Sequence, residues 1–274
     1  MQIRYLDGPR LRRALLAACE YAQRQRAELN RINVFPVPDG DTGTNLALTL
    51  QAIADHLRPA EQQEVSLVAY QAAEGAVLGA RGNCGMMLSH FLLGFAEGLA
   101  SHDRVGTTEF GLALVAGSDK LQKALERPVE GTILTVMRDS ATAVRTSPAT
   151  DFVPLVDDMV NAARRSLAST PDLLPVLKKA GVVDAGAKGF VSLLEGVLLF
   201  VRGDIAGGAP EATNGAPLDD SMVRPEYPTA AEHFRFCTEA LVRGRDLPTQ
   251  DVIRDALRDL GDRTNVFADR QLRP

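Results

Sequence analysis

Helical periodicity, interrupted only by short connections, limits this chain to few architectures. Residues 10 to 29 place Leu11, Leu15, Ala18, Ala22 and Leu29 on one face, with Asp7 and Pro9 as start signals. Comparable segments follow at about 45–57, 60–78, 85–100, 108–125, 132–146, 151–180 and 188–202, the seventh broken near Thr170 and Pro171. Short connections between long helices favour antiparallel neighbours. The expected fold is therefore all-α, an eight-helix up-and-down bundle or barrel.

Parity then has a consequence for chemistry. In such a bundle every second connection emerges at the same end, and those four carry the unusual sequence: VPDGDTGTN at 37–45, GARGNCG at 79–85, VEGT at 129–132 and GVVDAGAKG at 181–189. Each precedes a helix start, where unpaired N–H groups and the positive dipole end favour an anion. Asp39 and Asp41, with Thr42 and Thr44 beside them, offer hard oxygen ligands suited to Mg²⁺ shared with phosphates. The same DGDTG letters also spell a plain turn with a helix N-cap. Likewise GARGNCG is either a phosphate-binding loop or a glycine-rich turn, and it lacks the GK[ST] of a Walker A loop. Thr132 reads as a helix cap, Ile133, Leu134 and Met137 as core or as neighbours of an adenine ring, and Lys188 as a solvated turn residue or a phosphate contact.

Other features exclude function classes. The net charge of -5 leaves no basic footprint for a nucleic-acid backbone. Cys19, Cys84 and Cys237 lie far apart, so a disulfide framework is not expected, and no run of about 18 uncharged apolar residues could span a membrane. A cytoplasmic location is the expectation. The four histidines form no grouping with metal-site or nucleophile spacing. Residues 203–228, rich in Gly, Ala, Pro and acids, read as a flexible linker. Residues 229–274 then read as a short incomplete α/β segment, with a strand in HFRFCTEALV and a helix in TQDVIRDALRDLG.

Together NVFPVPDGDTGTN, GAVLGARGNCG, PVEGTILTV and GVVDAGAKGF, in this order, resemble the ATP-binding domain shared by dihydroxyacetone kinases and bacterial fatty acid kinases. The forms FPVPDGDTGTN and DAGAKGF resemble the fatty acid kinase branch, and the tail resembles the opening of that kinase's middle domain. The resemblance covers about residues 5–202 and implies an eight-helix barrel with Mg²⁺ and ATP or ADP at one open end. It implies that Asp39 and Asp41 hold magnesium and serve catalysis, with Thr44 assisting and Asn45 touching phosphate. Gly82, Asn83, Cys84 and Gly85 would cradle the phosphates, Thr132 and Ile133 would lie near the adenosine, and Asp184 to Gly186 would lid the site. Dihydroxyacetone kinases carry a third metal aspartate slightly upstream, where the nearest polar residue here is Asn33.

The implied reaction transfers the ATP γ-phosphate to a fatty acid presented by a separate DegV-type carrier protein, giving an acyl phosphate for phospholipid synthesis. Alternatives are the nucleotide subunit of a dihydroxyacetone kinase and a non-catalytic Mg-nucleotide sensor. A homodimer is compatible with either. Cys84 departs from the pattern, standing where serine is common and replacing a good hydroxyl donor by a thiol.

Overall fold

The first helix begins where its start signals lie. Asp7 Oδ1 accepts the N–H of Arg10 at 2.9 Å, and Pro9 sits in the first turn, where a missing N–H costs nothing. The computed structural model describes residues 2–125, 127–205 and 247–260. In chain order the elements are β1 (Leu6–Asp7), α1 (Gly8–Gln23), α2 (Arg26–Arg31), α3 (Thr42–Leu57), α4 (Val65–Gly79), α5 (Gly82–Gly98), β2 (Arg104–Val105) and α6 (Thr107–Ala124). There follow α7 (Ile133–Thr146), α8 (Phe152–Leu173), α9 (Pro175–Ala180), α10 (Ala185–Arg202), α11 (Gln250–Leu257) and a 3₁₀ turn at Arg258–Leu260.

The eight long helices expected from periodicity are all present, and they form a ring. Each of α1, α3, α4, α5, α6, α7, α8 and α10 packs on the next, and α10 returns to pack on α1. The interior is aliphatic along its length, with Leu50, Leu57, Leu88, Leu121, Leu134, Met137 and Leu155 buried. At the end where α6 and α8 start, Phe95, Phe110 and Phe152 form a run of edge-to-face pairs with centroids 5.7 and 5.4 Å apart. Leu6 and Asp7 pair antiparallel with Val105 and Arg104, a two-residue ladder too short for periodicity to announce.

Two boundaries differ from expectation. The segment 10–29 divides at Arg24 and Gln25 into α1 and α2, although no proline or glycine stands there. The turn is tertiary in origin: it buries Leu29, which is 1% exposed, and brings Arg26 and Asn30 against the start of α3. The break expected near Thr170 and Pro171 falls at Leu174 instead. Pro171 cannot donate to the Leu167 carbonyl, and the fully buried Thr170 replaces the lost bond, its Oγ1 donating to Leu167 O at 2.8 Å. Pro175 then starts α9, and Gly181 ends it in the left-handed region.

The expected linker at 203–228, apart from residues 203–205, lies outside the described residues, as do the strand in HFRFCTEALV and Cys237. The helix expected in TQDVIRDALRDLG is present as α11. Among the described residues no helix is long and apolar enough to cross a membrane.

Candidate functional site

The starts of α3, α5, α7 and α10 meet at one end of the ring. The N–H of Arg81, just before α5, donates to Thr49 Oγ1 of α3 at 3.1 Å. The N–H of Ile133, first residue of α7, donates to Asp184 Oδ2 at 3.1 Å, and Asp184 caps α10. A side chain at Gly186 in α10 would lie 3.6 Å from both Cys84 Sγ of α5 and Ile133 Cβ of α7. The four glycine-rich connections thus converge as bundle parity requires.

The loop before α3 separates its bracing residues from its free ones. Asn33, 5% exposed, donates through Nδ2 to Val37 O at 3.0 Å. Its Oδ1 accepts from Thr42 N at 3.0 Å and Thr42 Oγ1 at 2.7 Å. Asn33 therefore caps α3, and Asp41, which occupies the N-cap position, makes no side-chain cap bond. The capping task expected of Asp41 is thus done by another residue. It also commits both ends of the Asn33 amide inside the loop as a brace.

Asp39 and Asp41 flank Gly40, whose φ of 68° lies in the left-handed region. Burial pushes the Asp39 carboxyl up to about 6, and the neighbouring charge of Asp41 and a side-chain hydrogen bond with it push the same way. The two carboxylates are thus close enough for Asp39 to feel the charge of Asp41. Among the described residues no group of three or more His, Cys, Asp or Glu side chains gathers anywhere. A metal here would have two protein carboxylates and take its remaining oxygens from phosphates and water, which is the donor set that Mg²⁺ favours.

Thr44 faces α2. Its Oγ1 accepts from Arg26 Nε at 3.1 Å and Asn30 Nδ2 at 3.0 Å, and its N–H donates to Asn30 Oδ1 at 3.0 Å. With both lone pairs engaged, the hydroxyl keeps a proton to donate and no lone pair for a metal. Sequence reading missed Arg26 and Asn30, although their i, i+4 spacing just upstream of the motif places them on one helix face.

The first turn of α5 stands open. Gly82, Asn83 and Cys84 have backbone N–H groups with no acceptor among the described residues, and Arg81 provides no side-chain cap. In α3 the N–H groups of Thr42 and Thr44 are taken by asparagines, and Asp184 takes one each from α7 and α10. Of the four starts, α5 alone has no side chain accepting from its first-turn N–H groups among the described residues. The Cys84 thiol is raised to about 12 by burial and by the charge of Asp184, so it stays protonated.

Gly82 adopts φ +60°, and a Cβ there would lie 2.7 Å from Asn45 Nδ2. Gly82→Ala should lower the melting temperature by about 3–6 °C through left-handed strain and displacement of Asn45. Differential scanning calorimetry checks this.

Thr132 occupies the N-cap of α7 but its Oγ1 donates backward to Val129 O at 2.7 Å. The cap expected of it comes from Asp184. That carboxylate is 5% exposed, and one oxygen, Oδ2, accepts from Ile133 N and from Ala187 N at 2.8 Å. Burial raises it to about 6 against the pull of those two N–H groups. Lys188 lines a groove of about 340 Å³ between α2, α8 and α10, with Glu28, Arg164, Leu167 and Val191.

Residues 36–199 match the family model described as the DAK2 domain. The chain belongs to the DAK2 domain family. This DAK2 domain is 36% identical to the protein YloV of Bacillus subtilis, over 99% of the chain and 51% of that relative. It is 32% identical to a protein of Staphylococcus saprophyticus, over 97% of the chain and 50% of the relative. The chain thus spans about half the length of these relatives. Its fold resembles the dihydroxyacetone kinase from C. freundii solved with AMP-PNP and Mg²⁺, at TM-score 0.52 and 15% identity over 68% of this chain and 32% of that one. The native form of that kinase superposes at TM-score 0.53 over 72% of this DAK2 domain.

Proposed function

We propose that this DAK2 domain binds Mg-ATP at the α3/α5 mouth and transfers the γ-phosphate to a fatty acid presented by a separate DegV-type carrier protein. The carrying observation is that Asp39 and Asp41 are released from capping α3 and stand at the same end as the open first turn of α5. Bound magnesium would neutralise charge on the β- and γ-phosphates. Around it, Asp39 and Asp41 would hold the metal, and the N–H groups of Gly82, Asn83 and Cys84, with Gly85 behind them, would receive phosphate oxygens. Thr44 and Asn45 would donate to phosphate, Thr132 and Ile133 would lie near the adenosine, and Asp184 to Gly186 would fix the floor of the site.

Chemistry supports a carboxylate acceptor. A fatty acid is already anionic at neutral pH, so its phosphorylation needs no general base. The site residues assigned above offer acids, amides and backbone donors and no histidine. A dihydroxyacetone-type hydroxyl acceptor would need its proton removed. The motif forms FPVPDGDTGTN and DAGAKGF favour the fatty acid branch, and the solved relative with AMP-PNP and Mg²⁺ supports the nucleotide assignment.

The direct test incubates the chain with Mg-ATP and a fatty-acid-loaded DegV-type carrier, trapping acyl phosphate as a hydroxamate. Product that requires ATP, Mg²⁺ and loaded carrier is the expected result. Saturable Mg-ATP binding with no hydroxamate would instead assign the chain a non-catalytic nucleotide-binding role.

A further inference from the structure

We propose that Arg26, on α2, is a binding residue for the nucleotide's phosphates, held ready at the mouth by Thr44. The proposal rests on the Mg-ATP reading above and adds to it a residue that none of the four glycine-rich motifs contains. Arg26 is half-buried, and its Nε donates to Thr44 Oγ1 at 3.1 Å, three residues along from Asp41. The start of α2 is pressed onto the first turn of α3, since a Cβ at Gly43 would lie 2.2 Å from Arg26 O.

Bracing alone does not account for this guanidinium. Asn30 already holds Thr44 twice, through Nδ2 to the hydroxyl and through Oδ1 from the N–H. Arg26 makes no ion pair among the described residues, and the N–H groups of its two terminal nitrogens find no acceptor there. The N–H groups of those two nitrogens are therefore left to water or to an anion at the mouth. A guanidinium with free, forked donors beside the start of α3 suits phosphate oxygens by geometry as well as charge.

The test compares wild type, Arg26→Gln, Arg26→Lys and Arg26→Met in melting temperature and in affinity for ATP and adenosine with Mg²⁺. Glutamine keeps a donor for Thr44 and removes the charge. Arg26→Gln is expected to bind ATP about 10- to 100-fold more weakly, to bind adenosine as wild type does, and to melt within about 2 °C of it. Arg26→Lys should recover part of the ATP affinity. In the unmodified protein, Mg-ATP and not adenosine should protect Arg26 from phenylglyoxal, read by mass spectrometry, so the outcome does not depend on any variant folding. Wild-type ATP affinity in Arg26→Gln, with a lowered melting point only in Arg26→Met, would reduce Arg26 to a brace and overturn the proposal. Failure of wild type to bind Mg-ATP would overturn the underlying site assignment, and this is read separately.

Discussion

Replacing Asp39 or Asp41 by alanine is expected to abolish the Mg²⁺-dependent rise in melting temperature that ATP gives the wild-type chain. At nucleotide about 100 times its Kd, that rise should be about 5–10 °C. Turnover in the coupled acyl phosphate assay should fall by at least about 10²-fold, as expected when charge stabilisation at a phosphoryl centre is lost. Stability without ligand should move the other way. Asp39 has a folded pKa raised above its ordinary value of 3.8 to about 6, so its contribution is fully present below 3.8 and is lost as pH rises through 6. At pH 7 the two carboxylates repel, and removing either relieves the other. Melting points of the variants equal to or above wild type at pH 7, together with loss of the Mg-ATP shift, would separate a site from a scaffold. A large drop in ligand-free stability would contradict it, since neither aspartate caps α3.

The second large effect belongs to Asp184. One of its oxygens serves the first N–H of α7 and a first-turn N–H of α10 in a buried position, so Asp184→Ala leaves both donors unsatisfied. The expected loss is about 2–4 kcal/mol, or a fall in melting temperature of about 5–12 °C. Asp184→Asn retains an acceptor and removes the buried charge, and should cost less than about 1 kcal/mol at pH 7. The two variants also differ from wild type in pH response. With a folded pKa of about 6 against 3.8, wild-type Asp184 favours the fold below 3.8 and withdraws that support as pH rises through 6. Chemical denaturation between pH 4 and 7 should therefore show a flatter profile in Asp184→Asn than in wild type. Equal slopes would mean that the carboxyl titrates normally in the folded protein.

Most of the architecture was legible because helices announce themselves by period and bundles constrain their own connections. From spacing alone, the chain's eight long helices and the common end of its four glycine-rich loops could be stated, and the structure has both. What spacing could not carry was the division of labour within a loop. Asn33, Asp39, Asp41 and Thr44 all belong to the alphabet of caps and metal ligands. Only coordinates show that Asn33 caps, that Thr44 is turned toward α2, and that the two aspartates are left over. Pro171 shows a similar limit. Proline predicts a break, but Thr170 supplies the missing bond and the helix runs three residues further. The turn between α1 and α2 has no local signal, because it is imposed by where Leu29 and Asn30 must go.

The seam between α1 and α10 has a consequence for how this protein comes into being. As the chain leaves the ribosome, the aspartate loop is made early, yet the helix that closes the ring is not complete until Arg202. Until then α1 and α3 lack the surface of α10 that covers them, and α7 lacks the Asp184 that caps it. Contacts between such distant parts of a sequence form late, after the entropy of joining them has been overcome. A partly synthesised chain therefore carries every residue of the aspartate loop but no finished mouth. Capture of nucleotide would report that translation has passed α10, the helix that closes the ring, and ribosome-bound chains exposing or withholding α10 would differ in that one capacity.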